Sequence, residues 1–514
     1  MKKSVMPFSN KTRTPEVIIP LVAGAIFVLI SFVNHYVFRT YFNDLGIYTN
    51  ALYNYAHGNW DKSLIIAGGE HIDLWLVIFS PLVFLFGSYT LLLLQLTAII
   101  VGGIGIYKYV SLISQNRFLS LLAQVQFYFS FGIFTALSFD YHSNVCAAML
   151  LPWFFVSMKK QKWLWASIIF VFIIAAKENM SLWMMFVCSG LLFSVLRLRK
   201  SEGGKGIRRI FIPGEFKQTA VVLSTFILFA TSYFLFLTQW FMPHYSFAVI
   251  GHLKDYSVLG ATPVSALENF IAHPVEVLKM FFINHTHVPG GDYLKAEFHL
   301  LLLVSGGWIF LFRPLYLWMC LPLFAQKLLT DNPQFWGLGG QYAIEFVPLI
   351  ALGAFEYFTY LLKKNNKLVE KKFLSEKRIK TFAFLAVGFT LVASIRIFDH
   401  TVAFIDHAAI RFYQGRHYKE YTPRDIAALA FEVIPGDAAL SAQTHLAPHA
   451  ALRKSLYMFP QINDADYVLL QLNGKSFYPI TQQELIRQKD SLLSSNRWVE
   501  IWQQDSILVL HRKI

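Results

Sequence analysis

Cysteine is scarce in this chain, charge is thin, and long apolar runs stop well before the C-terminus. Only three of 514 residues are cysteines, Cys146, Cys188 and Cys320, and all three lie in apolar segments, which excludes both a disulfide framework and a thiolate metal site. Charged residues make up 15% of the chain, whereas a soluble domain carries about a quarter. With 55% hydrophobic residues and a mean hydropathy of +0.46, water is not the main solvent. After residue 398 no apolar run is long enough to cross the roughly 30 Å of a hydrocarbon core, so the last part of the chain is an aqueous domain. The first run, Val17 to Phe38, follows Lys2, Lys3, Lys11 and Arg13 but is too long for a signal peptide and lacks a small-residue cleavage site; it reads as a retained span.

What is present is a series of apolar segments. They predict an all-α polytopic membrane protein of about eleven transmembrane helices, near 17–38, 89–109, 118–138, 143–158, 162–176, 178–197, 217–241, 298–312, 314–329, 341–362 and 379–398. With the N-terminus inside, the inner loops hold 25 Lys and Arg and the outer loops 7, a bias that sets the orientation. The membrane domain is then 1–398, with an outer-face amphipathic loop at 39–88, and 399–514 is an extracytoplasmic α/β domain. A net charge of +14 suggests nucleic acid at first sight, but the basic residues sit in short loops between apolar runs, so no nucleic-acid partner is expected. The apolar piece His71 to Phe86 is too short to cross without inverting every later loop; it is expected to be interfacial, re-entrant or paired with another crossing.

The C-terminal domain begins with Thr422-Pro423 as cap and first turn of a helix over Arg424 to Val433. Strands follow at 438–442, 455–459 and 466–472, and Thr481-Gln-Gln-Glu484 is a capping box with Ile480 and Leu485 as its staple. A hairpin of Trp498 to Trp502 with Ser506 to His511 closes a sheet of about five strands. His445, His449 and Arg453 read more readily as a solvated helix surface than as a site, since two histidines without a third ligand are a weak metal signal.

Candidate chemistry lies in the outer loops. Leu45, Tyr48, Leu52 and Tyr55 share one face of an amphipathic helix, and Asp44 at its start is placed either as a catalytic base or as the helix cap. Gly68-Gly69-Glu70-His71-Ile-Asp73 and Phe139-Asp140-Tyr141-His142-Ser-Asn144 put further ionisable groups on the same side. Asp140 and His142, with Asp44, are ligands that Mg²⁺ or Mn²⁺ would take against a phosphate. Lys177-Glu178 interrupts an apolar stretch, where charge is costly: it reads either as a phosphate-holding pair or as an ion pair that pins a hairpin. Gln341-Tyr342 precedes Glu345, which is either a site residue or neutralised by burial.

Asn43-Asp44-Leu45-Gly46-Ile47-Tyr48, Gly-Gly-Glu70-His71, Asp140-Tyr-His142, Lys177-Glu178, Gln341-Tyr342 and Ser441-Ala-Gln443-Thr-His445-Leu446 with Arg453 together resemble the prokaryotic membrane family named domain-of-unknown-function family 2079. That family looks like a branch of the GT-C glycosyltransferases, in which an acidic residue just after the first span serves an extracytoplasmic active site and a polyprenyl-phosphate sugar is the usual donor. The resemblance implies Asp44 as base with Glu70 and His71 orienting the base or the acceptor, Lys177, Glu178 and Gln341 at the donor phosphate, and Asp140 and His142 as the second acidic or metal-binding cluster. Its partners would be a polyprenyl-phosphate-linked sugar, membrane lipid and an envelope acceptor, in the prokaryotic cytoplasmic membrane. Two departures stand out: Asp44 is followed by Leu-Gly instead of an Asp-Glu pair, and Asn179 replaces the acid of a Lys-Glu-Asp run. Two other classes fit the same residues: a lipid or solute transporter, which would place its charges nearer the midplane of repeated halves, and an envelope sensor or scaffold.

Overall fold

The computed structural model of the protein describes residues 14–60, 66–67, 71–200, 216–245, 255–260, 263–367, 374–399, 410–474 and 477–513. Among them, seven helices are long and apolar enough to cross a membrane: Pro15–Tyr36, Leu74–Ser114, Arg117–Leu137, Glu178–Leu196, Lys217–His244, Phe346–Lys364 and Glu376–Phe398. The protein is a multi-pass membrane protein. The other four expected segments form shorter or broken helices. Residues 143–158 divide into Ser143–Ala148 and Leu151–Lys159, the second opening on Pro152, which has no N–H to continue the preceding turn. Trp163–Ile174 is a single helix of 12 residues, and Pro314–Leu328 again starts on a proline.

The remaining segment runs Gly291–Leu302, then a wide π-helical turn over Leu303–Gly307, then Ile309–Phe312. Gly306 stands there at φ +117, where a Cβ would lie 2.7 Å from Ile350 and 2.8 Å from Gln126. Gln126 fills the gap in the helix ladder by donating to Ser305 O at 3.1 Å.

The ambiguous segment forms the broken first part of the helical run Leu74–Ser114. Leu74 N–H donates to Ala175 O and Trp75 Nε1 to Phe172 O, so it begins at the C-terminal end of Trp163–Ile174. It passes through short helical pieces broken at Ser80-Pro81 and Gly87, and Ser88 then meets His35 Nε2 at 3.0 Å, near the C-terminal end of α1 (Thr14–Tyr36). Both ends therefore sit on one face of the bundle. On that face the chain leaves α1, makes a π-helical turn over Phe42–Gly46 and enters α2 (Ile47–Ala56). The amphipathic helix expected on the membrane surface is instead enclosed: Leu45, Tyr48, Leu52 and Tyr55 pack within the main apolar core, and Thr49, Ala51 and Asn54 on its other faces are buried too.

A two-residue ladder joins β1 (Ile66–Ala67) to β2 (His71–Ile72). The C-terminal domain has five strands, β3 (Leu440–Ala442), β4 (Leu456–Met458), β5 (Tyr467–Gln471), β6 (Trp498–Gln504) and β7 (Ile507–Arg512), in the order β4-β3-β5-β7-β6. β3 runs parallel to β4 and β5, and β7 is antiparallel to β5 and β6. Side-chain alternation divides the interior in two. Leu469 and Val509 face the helix Arg424–Val433; Val468, Leu470, Leu508 and Leu510 face Gln482–Ser494, where Thr481 Oγ1 accepts Glu484 N–H as one half of the expected box, the Glu484 carboxylate turns to Arg487 and Gln488, and Ile480 joins the cluster of Leu485. Phe38, from the segment joining α1 to α2, completes the first of these clusters, so the two domains share a core.

Candidate functional site

The π-helical turn after α1 needs its free N–H groups satisfied, and the partner comes from far along the chain. Asp140 Oδ2 accepts Tyr41 N–H at 2.8 Å, and the Leu45 amide also bonds to this carboxyl. Asp140 itself stands at φ +49 in a tight loop; Gln95 fixes that loop by donating to Asp140 O at 2.8 Å and accepting His142 N–H at 2.9 Å. The cap is therefore Asp140 and not Asp44, whose side chain is half-buried. Asp44 Oδ1 lies 3.0 Å from His142 Nε2. Burial holds His142 below its ordinary value against the pull of Asp44, so the ring that faces the Asp44 carboxyl is kept neutral. Burial first, and then the Asp44 charge, pushes the Asp140 carboxyl well above the usual carboxylate range.

A cavity of about 1050 Å³ opens against this pair. Asp44, His71, His142, Lys177, Glu178 and Gln341 all line it, from five separate stretches of sequence. Glu178, at the first position of its helix, meets His71 Nδ1 at 2.8 Å, and β2 presents that histidine. The ion pair that Lys177-Glu178 suggested is thus made by Glu178 with His71. Lys177 is 6% exposed, with no side-chain carboxylate within ion-pair distance among the described residues, although Asp73, Glu178 and Glu345 contribute attraction from further off. Asp73 caps the helix Leu74–Phe79 through Trp75 N–H at 3.0 Å; burial pushes it up to about 7, against the pull of Ser143 and Lys177.

Four acceptor atoms on the cavity wall, Asn144 Oδ1, Glu178 Oε2, Asn179 Oδ1 and Gln341 Oε1, are buried and have no hydrogen-bond partner among the described residues. Buried acceptors without donors are costly. Phe335 and Tyr342, with ring centroids 4.2 Å apart, add an aromatic surface beside them.

Not every expected residue joins this wall. Glu70 lies outside the described residues. Asp140, expected as a metal ligand with His142, does not line the cavity: its carboxyl serves the Tyr41 and Leu45 amides, and His142 Nε2 faces Asp44. Among the described residues no group of three or more His, Cys, Asp or Glu is placed to hold a metal ion. His445, His449 and Arg453 form no solvated surface. His445 and Arg453 are each 5% exposed, and His449 stacks on His35 with centroids 4.1 Å apart, because this stretch is pressed against the membrane domain.

Two residues of the wall carry chemistry the sequence did not single out. Asn144 donates to Glu345 Oε1 at 2.7 Å, and Lys327 Nζ donates to Phe335 O and Gly337 O, both at 2.6 Å, fixing the loop that carries Gln341. A lysine inside the apolar run 314–329 was the available signal for the second.

A family model described as a predicted membrane protein, domain-of-unknown-function family 2079, matches residues 34–509. The chain belongs to that family. The match begins just before Asp44 and takes in every residue lining the cavity together with nearly all of the C-terminal domain. No curated protein matches the chain.

Proposed function

We propose that this member of the family is a membrane glycosyltransferase of the GT-C kind, transferring a sugar from a polyprenyl-phosphate donor to an envelope acceptor with inversion. One observation carries the reading: a carboxylate braced by a neutral imidazole, a nearly buried lysine without a direct carboxylate partner, and several unpartnered acceptors line the same cavity. In this reading the cavity end of the bundle faces the extracytoplasmic side, in keeping with the 25-to-7 bias of Lys and Arg.

Asp44 takes the proton of an acceptor hydroxyl while that oxygen bonds to the anomeric carbon from the face opposite the phosphate. The bond between the anomeric carbon and the phosphate oxygen breaks, its electron pair leaving with the polyprenyl phosphate. Lys177 meets the charge that gathers on that oxygen. His142 keeps Asp44 ionised and aimed; the Glu178–His71 pair and Gln341 offer polar partners to the sugar hydroxyls. All steps use this chain's own side chains.

The test is Asp44→Asn in membranes supplied with a radiolabelled polyprenyl-phosphate sugar. Insertion and expression are expected to match wild type, while transfer falls by about 10²–10⁴-fold, as for loss of a general base. Undiminished transfer by a cleanly inserted Asp44→Asn protein refutes the proposal.

A further inference from the structure

The run Ser441-Ala-Gln443-Thr444-His445-Leu446 and Arg453 take no part in the cavity, yet they bear directly on the segment that carries Asp44. Arg453, 5% exposed, donates from Nε to Ala450 O at 2.7 Å and from Nη1 to Ala438 O at 3.0 Å, tying the turn after residue 450 to the segment that leads into β3. Carbonyls of that same turn point at α2: Asn50 Nδ2 donates to Ala451 O at 3.1 Å and to Arg453 O at 2.6 Å, and Asn54 Nδ2 to Lys454 O at 3.1 Å. At the other end of the segment Thr444 Oγ1 accepts Phe42 N–H at 3.3 Å. Thr444 is held there by its neighbours, since Gln443 accepts Gln471 N–H and His445 Nε2 meets Gln471 Oε1 at 2.8 Å.

The stretch that carries Asp44 is thus gripped on two sides, by Asp140 from the membrane domain and by Thr444, Ala451, Arg453 and Lys454 from the C-terminal domain. Tyr48, one turn past Asp44, lies against Tyr141 and His142 with centroids 5.7 and 6.3 Å away, and Gln95 holds the His142 loop in place, so rotation or sliding of α2 moves Asp44 out of register with its histidine. Asn50 is fewer than two turns from Asp44, a distance over which a helix transmits displacement almost rigidly.

We infer that the C-terminal domain is a working part of the site, a clasp in which Asn50 and Arg453 are positioning residues that hold Asp44 in register with His142. Its bearing on catalysis rests on the reading of Asp44 as the base; the clasp itself does not, and is tested apart from sugar transfer. Residues singled out in the sequence near 441–453 then have a physical task, and removal of the domain takes away more than an accessory.

The experiment places a thiol where the carboxylate stands. Native Cys146, Cys188 and Cys320 are all buried, so in Asp44→Cys the introduced thiol is the accessible one. Its rate of alkylation by iodoacetamide is measured against pH in the full-length protein in detergent. His142→Ala in the same background gives the profile of a thiol without its imidazole. Asn50→Ala and Arg453→Ala are expected to move the Asp44→Cys profile toward that reference, with the apparent thiol pKa displaced by about one unit and the rate at fixed pH changed about tenfold. Asn50→Ala leaves the C-terminal domain untouched, so the test survives if Arg453→Ala fails to fold. Profiles superimposable on that of the parent Asp44→Cys protein overturn the clasp. Loss of sugar transfer in Asn50→Ala or Arg453→Ala proteins that keep Asp44, with an unmoved profile in the Asp44→Cys background, also overturns it, whereas a moved profile with no transfer activity even in the wild-type protein leaves the clasp standing and removes the glycosyltransferase reading alone.

Discussion

Two ends of the membrane domain each hold a carboxylate among polar neighbours, and they differ in what those neighbours leave undone. At one end Glu356 takes hydrogen bonds from the Tyr109 and Tyr316 hydroxyls, with Arg313 and Lys159 nearby and the Arg313 guanidinium 5.1 Å from the centre of the Tyr360 ring. Arg313 Nε and Nη2 are still left there without a hydrogen-bond partner among the described residues, but none of these groups lines the cavity at the other end. At the other end, Asp44, Glu178 and Glu345 have partners on one side and a cavity on the other, with Lys177 and four unpartnered acceptors between them. Ionisable groups in an apolar setting are therefore not a sign of function on their own. What distinguishes the second end is that its ionisable groups are gathered around a space.

Breaking the contrast from its cavity side gives the largest expected effect. Lys177→Met removes the cation proposed for the leaving phosphate, and transfer is expected to fall by about 10²–10³-fold, the loss seen when one charge-stabilising donor is removed. Stability is expected to hold or rise, because Lys177 is 6% exposed without a direct ion pair, and a methionine of similar length carries no desolvation penalty. Thermal unfolding in detergent alongside the transfer assay checks both halves; a large drop in melting temperature would make Lys177 a structural residue. Glu356→Ala is the mirror experiment. It strands the nearly buried Tyr109 and Tyr316 hydroxyls and is expected to cost on the order of 2–4 kcal/mol of stability, while transfer per folded molecule stays at the wild-type level. A specific activity that falls with Glu356 would dissolve the distinction between the two ends.

What could be read in the sequence follows the range of the interactions. Continuous helices such as Glu376–Phe398 announce themselves by length and hydropathy, and the cap of Gln482–Ser494 by four adjacent residues, because the information is local. Broken elements were less legible. The π turn at Leu303–Gly307 depends on Gln126, nearly two hundred positions away, and nothing near Gly306 announces it. Within the site, Asp44, His71, His142, Lys177, Glu178 and Gln341 were found because polar groups in an apolar chain are conspicuous. Their tasks were harder to assign. A carboxylate at a helix start reads as its cap, yet here Asp140 caps the helix that Asp44 begins, a partnership across almost a hundred residues. His445, His449 and Arg453 read as surface because burial between two domains leaves no periodic trace in either.

His445 sharpens the comparison most gently, by asking whether an enclosed polar group outside the membrane behaves like Glu356 or like the cavity. It is 5% exposed with Nε2 against Gln471, and burial lowers its pKa to about 4. The folded state therefore keeps the ring neutral, whereas the unfolded chain binds a proton below the ordinary value of about 6.5. Unfolded protein then holds more protons throughout the window from 6.5 down to about 4, so stability is full above that window and is lost as pH falls through it. Between pH 6.5 and pH 5 the expected loss is about 2 kcal/mol, read as a falling melting temperature in detergent. His445→Gln keeps an amide N–H for Gln471 and has no proton to gain, so its melting temperature is expected to vary less over the same range. If the acid slope is unchanged in His445→Gln, the proton is taken up elsewhere and His445 is not the enclosed group its surroundings make it.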